Sequence, residues 1–156
     1  MSATIYGGAV RQRLGAILTT VGALVTLVGT FLPWLRSGAR GRSSYAIFDL
    51  VERLGFAPDG VISWSLRLWP LVPLLLVVLV VVTWWPAGSG RQGTVGVVLA
   101  AVATVWAGGT GVAVMVAPEV GLFRIGVGPL VTVVGALVIA VGQVVSRRES
   151  GSSAAS

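Results

Sequence analysis

Four stretches without one charged side chain, 14–35, 68–85, 93–116 and 125–146, make up more than half of this 156-residue chain. A helix rises about 1.5 Å per residue, so about 20 residues cross a hydrocarbon core of roughly 30 Å. Each stretch reaches or nearly reaches that length. The mean hydropathy of +0.94 and the 10% share of charged residues point the same way. The pattern predicts an integral membrane protein of all-α class: a four-helix transmembrane bundle over 14–146, with an N-terminal tail, 1–13, and a disordered C-terminal tail, 147–156. The second stretch is the shortest, and Trp69 at one end and Trp84 with Trp85 at the other predict interfacial indole belts. Pro70 and Pro73 fall in its opening turns, where a missing N–H costs little. Arg11 and Arg13 ahead of the first stretch imitate a signal peptide. The apolar run is too long for one and ends in Pro33-Trp34-Leu35-Arg36 with no small-residue cleavage site, which predicts an uncleaved anchor.

Absent residue types narrow the chemistry. The chain has no Cys and no His, which removes disulfides, the common transition-metal sites and Cys- or His-based catalysis. All eleven basic residues are arginine and asparagine is missing too, a composition expected of a high-GC genome. With no Lys either, a Ser-Lys pair is ruled out along with a Ser-His-Asp set, so an enzyme is not expected. Neither a metal nor an organic cofactor is expected, and nucleic acid is not an expected partner.

Arginines then frame the topology. Four spans place both termini on one side, and the two sides carry five and six arginines, a balance that leaves the positive-inside rule undecided. Arg11, Arg13, Arg147 and Arg148 flank the first and last spans closely, which favours cytoplasmic termini and an extracytoplasmic loop 36–67 in a plasma membrane. That loop opens with Arg36, Arg40 and Arg42, with no acid among them. They are the candidate docking residues for anionic lipid or an acidic partner surface, against the plainer reading of solvated charge beside head groups. Downstream, SYAIFDLVERLG sets Ile47, Leu50, Val51 and Leu54 on one helical face and Asp49, Glu52 and Arg53 on the other. This predicts a short amphipathic helix, with Ser44 as N-cap and Gly55 just past its end. A turn at 57–60 and an alternating Ile62, Trp64, Leu66 stretch complete the loop.

Within the spans the glycines carry the pattern. Gly15, Gly22 and Gly29 recur every seven residues in the first, and Gly128, Gly135 and Gly142 do so in the last. The repeat extends to VGALVTLVG at 21–29 and VGALVIAVG at 134–142, with Thr19 matching Thr132. Small residues at heptad spacing let backbones approach, so these six glycines are the candidate packing residues. The third span has a similar stripe, Gly96, Ala100, Ala103, Ala107 and Gly111, whereas the second is bulky apart from Pro73. The expectation is that the first, third and fourth helices pack tightly and the second lies outside. Low complexity alone, in a chain with 22 glycines, is the competing explanation.

No ionisable residue lies inside any span, and such a residue is the usual mark of a proton or ion path. The small multidrug exporters resemble this chain in size and span number but depend on an acid in the first helix that 14–35 lacks. Claudin-like tetraspans resemble it in their long first loop, without cysteines here to match theirs. The combination of LPWLRSG and RSSY after the first span with GVGPLVTVVGALVIAVG in the last resembles the uncharacterised small four-span membrane proteins of actinobacteria. That resemblance covers nearly the whole chain and implies an actinobacterial plasma membrane, with no activity or substrate attached. Two functional expectations stand: an accessory or scaffold subunit that meets a larger membrane complex or anionic lipid, and a small transporter or channel acting as a homo-oligomer. For the second, Thr19, Thr20, Thr26, Thr104, Thr110 and Thr132 are the polar residues available to line a path.

Overall fold

The computed structural model describes residues 3–37, 40–53, 67–85, 90–116 and 123–147. The turn at 57–60, Ile62, Trp64 and Leu66, Leu54 and Gly55, Glu119, and the tail from 148 onward lie outside them. The chain is mostly helical. Helix α1, Ala3–Phe31, extends back through the expected N-terminal tail. It is followed by strands β1, Pro33–Ser37, and β2, Arg40–Ser43, and by helix α2, Ser44–Arg53. A 3-10 turn, Trp69–Leu71, opens helix α3, Val72–Trp84, with the prolines in the first positions of each. Helix α4, Gly90–Ala103, passes through a π turn, Thr104–Gly108, into α5, Gly109–Val116. Strand β3, Phe123–Ile125, leads to α6, Gly128–Arg147.

Three helices are long and apolar enough to cross a membrane, at Val10–Phe31, Thr94–Val116 and Gly128–Ser146. Trp69–Trp84 is a shorter apolar helix. The antiparallel pair α1 and α6 is the most extensive contact in the molecule, and α4, the π turn and α5 pack on α6. Helix α3 closes the arrangement by packing on both α1 and α4, and α1 makes no extended contact with α4 or α5. The expectation that the second span lies outside is therefore corrected. Its Val72, Leu76 and Leu79, spaced by four and three residues, are fully buried in one cluster with Ala23, Ala100, Ala103 and Ala107. Bulky side chains on α3 fill the volume that alanines on the neighbouring helices leave open. Its other face, including Leu74, Val77 and Val81, is exposed, as a lipid-facing surface is.

To the all-α expectation the structure adds a three-stranded antiparallel sheet in the order β2-β1-β3. It continues the α1–α6 pair beyond its helices, because β1 follows α1 after Leu32 and β3 precedes α6 by two residues. The backbone N–H of Gly126 donates to the Trp34 carbonyl at 2.8 Å. A Cβ on Gly126 would collide with the Pro33 carbonyl, so only glycine lets the two strand ends cross this closely.

Beside the sheet, buried side chains satisfy the end of α1. A helix leaves its last four carbonyls without intrahelical partners, which is costly away from water. Here Trp34 Nε1 donates to the Gly29 carbonyl at 2.9 Å, Ser44 Oγ to the Thr30 carbonyl at 2.7 Å, and Leu32 N to the Val28 carbonyl at 3.2 Å. Trp69 Nε1 donates in turn to Ser44 Oγ at 3.0 Å. Ser44, expected to cap α2, thus spends its hydroxyl on the end of α1. Trp69, expected in an interfacial belt, is buried at 1% exposure, whereas Trp84 and Trp85 are exposed. The rings of Trp34, Phe48 and Trp69 meet edge to face with centroids 5.1 to 6.2 Å apart. Phe48 and Ile47 of α2 pack against this core, while Asp49 and Arg53 pair at 3.0 Å on the exposed face.

Ser44→Ala should orphan both the Thr30 carbonyl and the Trp69 N–H and cost about 1 to 3 kcal/mol, seen as a lower melting temperature in detergent. Among the described residues the one buried side-chain polar atom without a partner is Trp106 Nε1. Trp106→Phe removes that unsatisfied donor, so its melting temperature should equal or exceed the parent's.

Candidate functional site

Two sets of residues were singled out by sequence, and the structure treats them differently. The glycines come together along the α1–α6 seam. A Cβ built on Gly22 would stand 2.8 Å from the Gly135 carbonyl oxygen and 2.6 Å from Ile139 N, and one on Gly142 would stand 2.9 Å from the Gly15 carbonyl and 2.7 Å from Thr19 N. Real Cβ atoms do not sit so close to backbone, so no larger residue fits without forcing the helices apart.

The seam follows a simple rule. Each glycine receives the residue four places after the facing glycine: Gly15 meets Ser146, Gly22 meets Ile139, Gly29 meets Thr132, Gly135 meets Thr26 and Gly142 meets Thr19. The two copies of the repeat therefore interlock with a local twofold relation, as antiparallel copies of one pattern must. Thr19, Thr26, Thr132 and Ile139 are fully buried. The hydroxyls of Thr26, Thr132 and Ser146 donate to the carbonyls of Gly22, Gly128 and Gly142 at 2.8, 2.9 and 2.9 Å. These i−4 bonds consume the polarity inside each helix and let threonine pack as a small residue. The rule ends at Gly128. Its nearest neighbours are Trp34 and the Leu32 carbonyl rather than Gly29, because α1 stops at Phe31 and the chain turns into β1 there.

The arginines lie at the sheet end of the same helix pair. In register, Arg36 stands opposite Gly41 on β2 and opposite Arg124 on β3, while Leu35 stands opposite Arg42 and Ile125, and Ser37 opposite Arg40. Side chains alternate along a strand, so Arg36 and Arg124 share one face and Arg42 lies on the other, with Leu35 and Ile125. Arg40 is placed here by its backbone register only. The expected trio is therefore not one cluster: the residue that shares a face with Arg36 is Arg124, which is not among the candidate docking residues the sequence singled out. Its signal was hidden, because a register between β1 and a strand some 90 residues away cannot be read from spacing.

Arg36 and Arg124 are both exposed. Like charges directly opposite in an antiparallel pair disfavour it. Among the described residues neither meets a carboxylate; the Arg53–Asp49 ion pair lies on α2, away from them in the chain. A paired cationic face that meets no counter-charge among the described residues is suited to hold an anion or an acidic surface. Among the described residues no cluster of ligating side chains could hold a metal ion. Comparison of the chain with protein-family models, with curated proteins and with solved structures found no match.

Gly22→Leu, which drives a side chain into Ile139 and the Gly135 carbonyl, should lower the melting temperature by the equivalent of about 1 to 3 kcal/mol or more. Val77→Leu, on the exposed face of α3, should leave it within about 0.5 kcal/mol of the parent.

Proposed function

We propose that this chain is a four-span plasma-membrane protein that serves as an accessory or scaffold subunit, docking through Arg36 and Arg124 on an acidic surface of a larger membrane complex. The observation that carries the reading is the opposed arginine pair. The chain holds two like charges face to face on a sheet anchored to its most extensively packed helix pair, and supplies neither with an acid among the described residues. Arg42 adds charge to the opposite face of the same sheet.

The fourth crossing in this reading is the Trp69–Trp84 helix, which spans about 24 Å at 1.5 Å per residue and is completed by the residues around it. Helix α2 is the amphipathic cap of the first loop, its Ile47 and Phe48 on the core and its Asp49 and Arg53 outward. Both termini are cytoplasmic and the sheet faces outward. The resemblance to small actinobacterial four-span proteins supports a plasma membrane.

One observation favours the alternative of a small oligomeric transporter or channel: the π turn at Thr104–Gly108 carries the unpartnered Trp106 N–H, and π turns recur at functional sites. The hydroxyls available to line a path argue against it. Thr20 donates to the Ala16 carbonyl and accepts from Trp84 Nε1, Thr104 donates to the Ala136 carbonyl, Thr110 donates to the Trp106 carbonyl, and Thr19 accepts from Gln143. Polar groups already committed within the bundle offer little to a passing solute.

Purification in mild detergent should bring down a stoichiometric membrane partner, and Arg36→Gln with Arg124→Gln should weaken that association in a salt-dependent way while leaving the melting temperature at or slightly above the parent's, since the like-charge opposition is relieved. A clean homo-oligomer that moves solute in liposomes would contradict the subunit reading. For the topology, Ala46→Cys gives the chain a single exposed thiol near the sheet. An impermeant maleimide should label it in intact cells; labelling only after lysis would invert the topology.

A further inference from the structure

At the end of the α1–α6 pair remote from the sheet, the two helices leave an open groove of about 650 Å³. Its size falls in the range of small-molecule sites, about 300 to 1,000 Å³. It runs beside the glycine seam, where the backbones come close at Gly15 and Gly142. Along the groove lie Leu14 of α1 and Leu137, Ala140, Val141 and Val144 of α6, with Arg11 as the charged residue of the lining. Ala140 deepens the floor where a larger residue would fill it.

The polarity runs in one direction. Arg11 stands one turn before Leu14, next to the boundary of the candidate span that starts at Val10. From Val144 the apolar lining continues to Leu137, seven residues along α6 or about 10 Å, toward the middle of the span. A cation at the mouth and an aliphatic trough running inward are complementary to an amphiphile with an anionic head and a hydrocarbon tail. Arg11 is exposed and meets no carboxylate among the described residues, and neither α1 nor α6 contains an acid. Arg13, also exposed, lies two residues on and hence on the other side of α1, outside the groove.

We propose that this groove binds one anionic phospholipid, with the phosphate on the Arg11 guanidinium and an acyl chain in the trough formed by Leu14, Leu137, Ala140, Val141 and Val144. A planar guanidinium matches phosphate oxygens bidentately, which fixes the head, and the trough fixes the direction of the tail. The site rests on the membrane reading of the three long helices and is independent of the docking face around Arg36 and Arg124, at the opposite end of the same helices.

Native mass spectrometry of the detergent-solubilised protein with phosphatidylglycerol and phosphatidylcholine of identical acyl chains tests this. One phosphatidylglycerol molecule should be retained in preference to phosphatidylcholine. Arg11→Gln should lower its apparent affinity about fivefold, the effect of one arginine at an anionic surface, while Arg36→Gln with Arg124→Gln leaves it unchanged. Val144→Phe, an exposed position where extra bulk fills the trough without touching the seam, should weaken retention with Arg11 intact. Equal retention of both lipids, or indifference to Arg11→Gln or to Val144→Phe in protein that melts normally, would overturn the proposal. Binding of soluble glycerol phosphate as tightly as the lipid would overturn it too, since the trough would then contribute nothing.

Discussion

The contact on which the rest of the molecule depends is backbone against backbone, where Gly22 and Gly135 let α1 and α6 approach to within the reach of a carbonyl oxygen. In lipid, burying apolar side chains yields little driving force, because the tails outside are as apolar as the residues inside. Close packing of small residues supplies dispersion contacts instead, and it works only if nothing projects between the helices. The interlocked glycine pattern meets that requirement over five successive contacts on the two helices. Threonine hydroxyls do not spoil it, since Thr26 and Thr132 return theirs to the carbonyls one turn back.

From that contact the ends of the bundle follow. With α1 and α6 held together, the strands that leave one and enter the other are neighbours, and a sheet forms where each helix ends. The same closeness would strand the last carbonyls of α1 away from water. Trp34 and Ser44 answer this with side-chain donors to the Gly29 and Thr30 carbonyls, and Trp69 donates to Ser44 in turn, so the cap of one helix also links α2 to the start of α3. At the other end, where the described residues form no sheet, the groove beside Arg11 lies along the pair. Two cationic features of the molecule thus lie at opposite ends of one helix pair.

How much of this was legible differs by element. The long helices were, because uncharged runs of membrane length admit few other structures, and the heptad glycines announced the helix pair that uses them. The place of α3 was misread from composition: a run of leucines and valines suggests lipid contact all round, yet Val72, Leu76 and Leu79 fill the space beside Ala100, Ala103 and Ala107. The sheet was hidden because its strands are three to five residues long and lack alternation. Arg124 was hidden with it, since its partnership with Arg36 exists only through a long-range register. Ser44 was legible as a capping residue but not as the cap of α1, fourteen residues back from it.

Because a Cβ has no room at Gly22 or Gly135, the seam is best measured in the unaltered chain. Solid-state NMR of isotope-labelled protein in bilayers can detect a through-space contact between the Gly22 Cα and the side-chain carbons of Ile139, residues 117 apart in sequence. The seam predicts a strong cross-peak between them, accompanied by contacts of Thr26 with Gly135 and of Thr19 with Gly142. Intact sequential contacts within α1 and α6 without the Gly22–Ile139 cross-peak would show two helices that form but do not interlock, and would contradict the account.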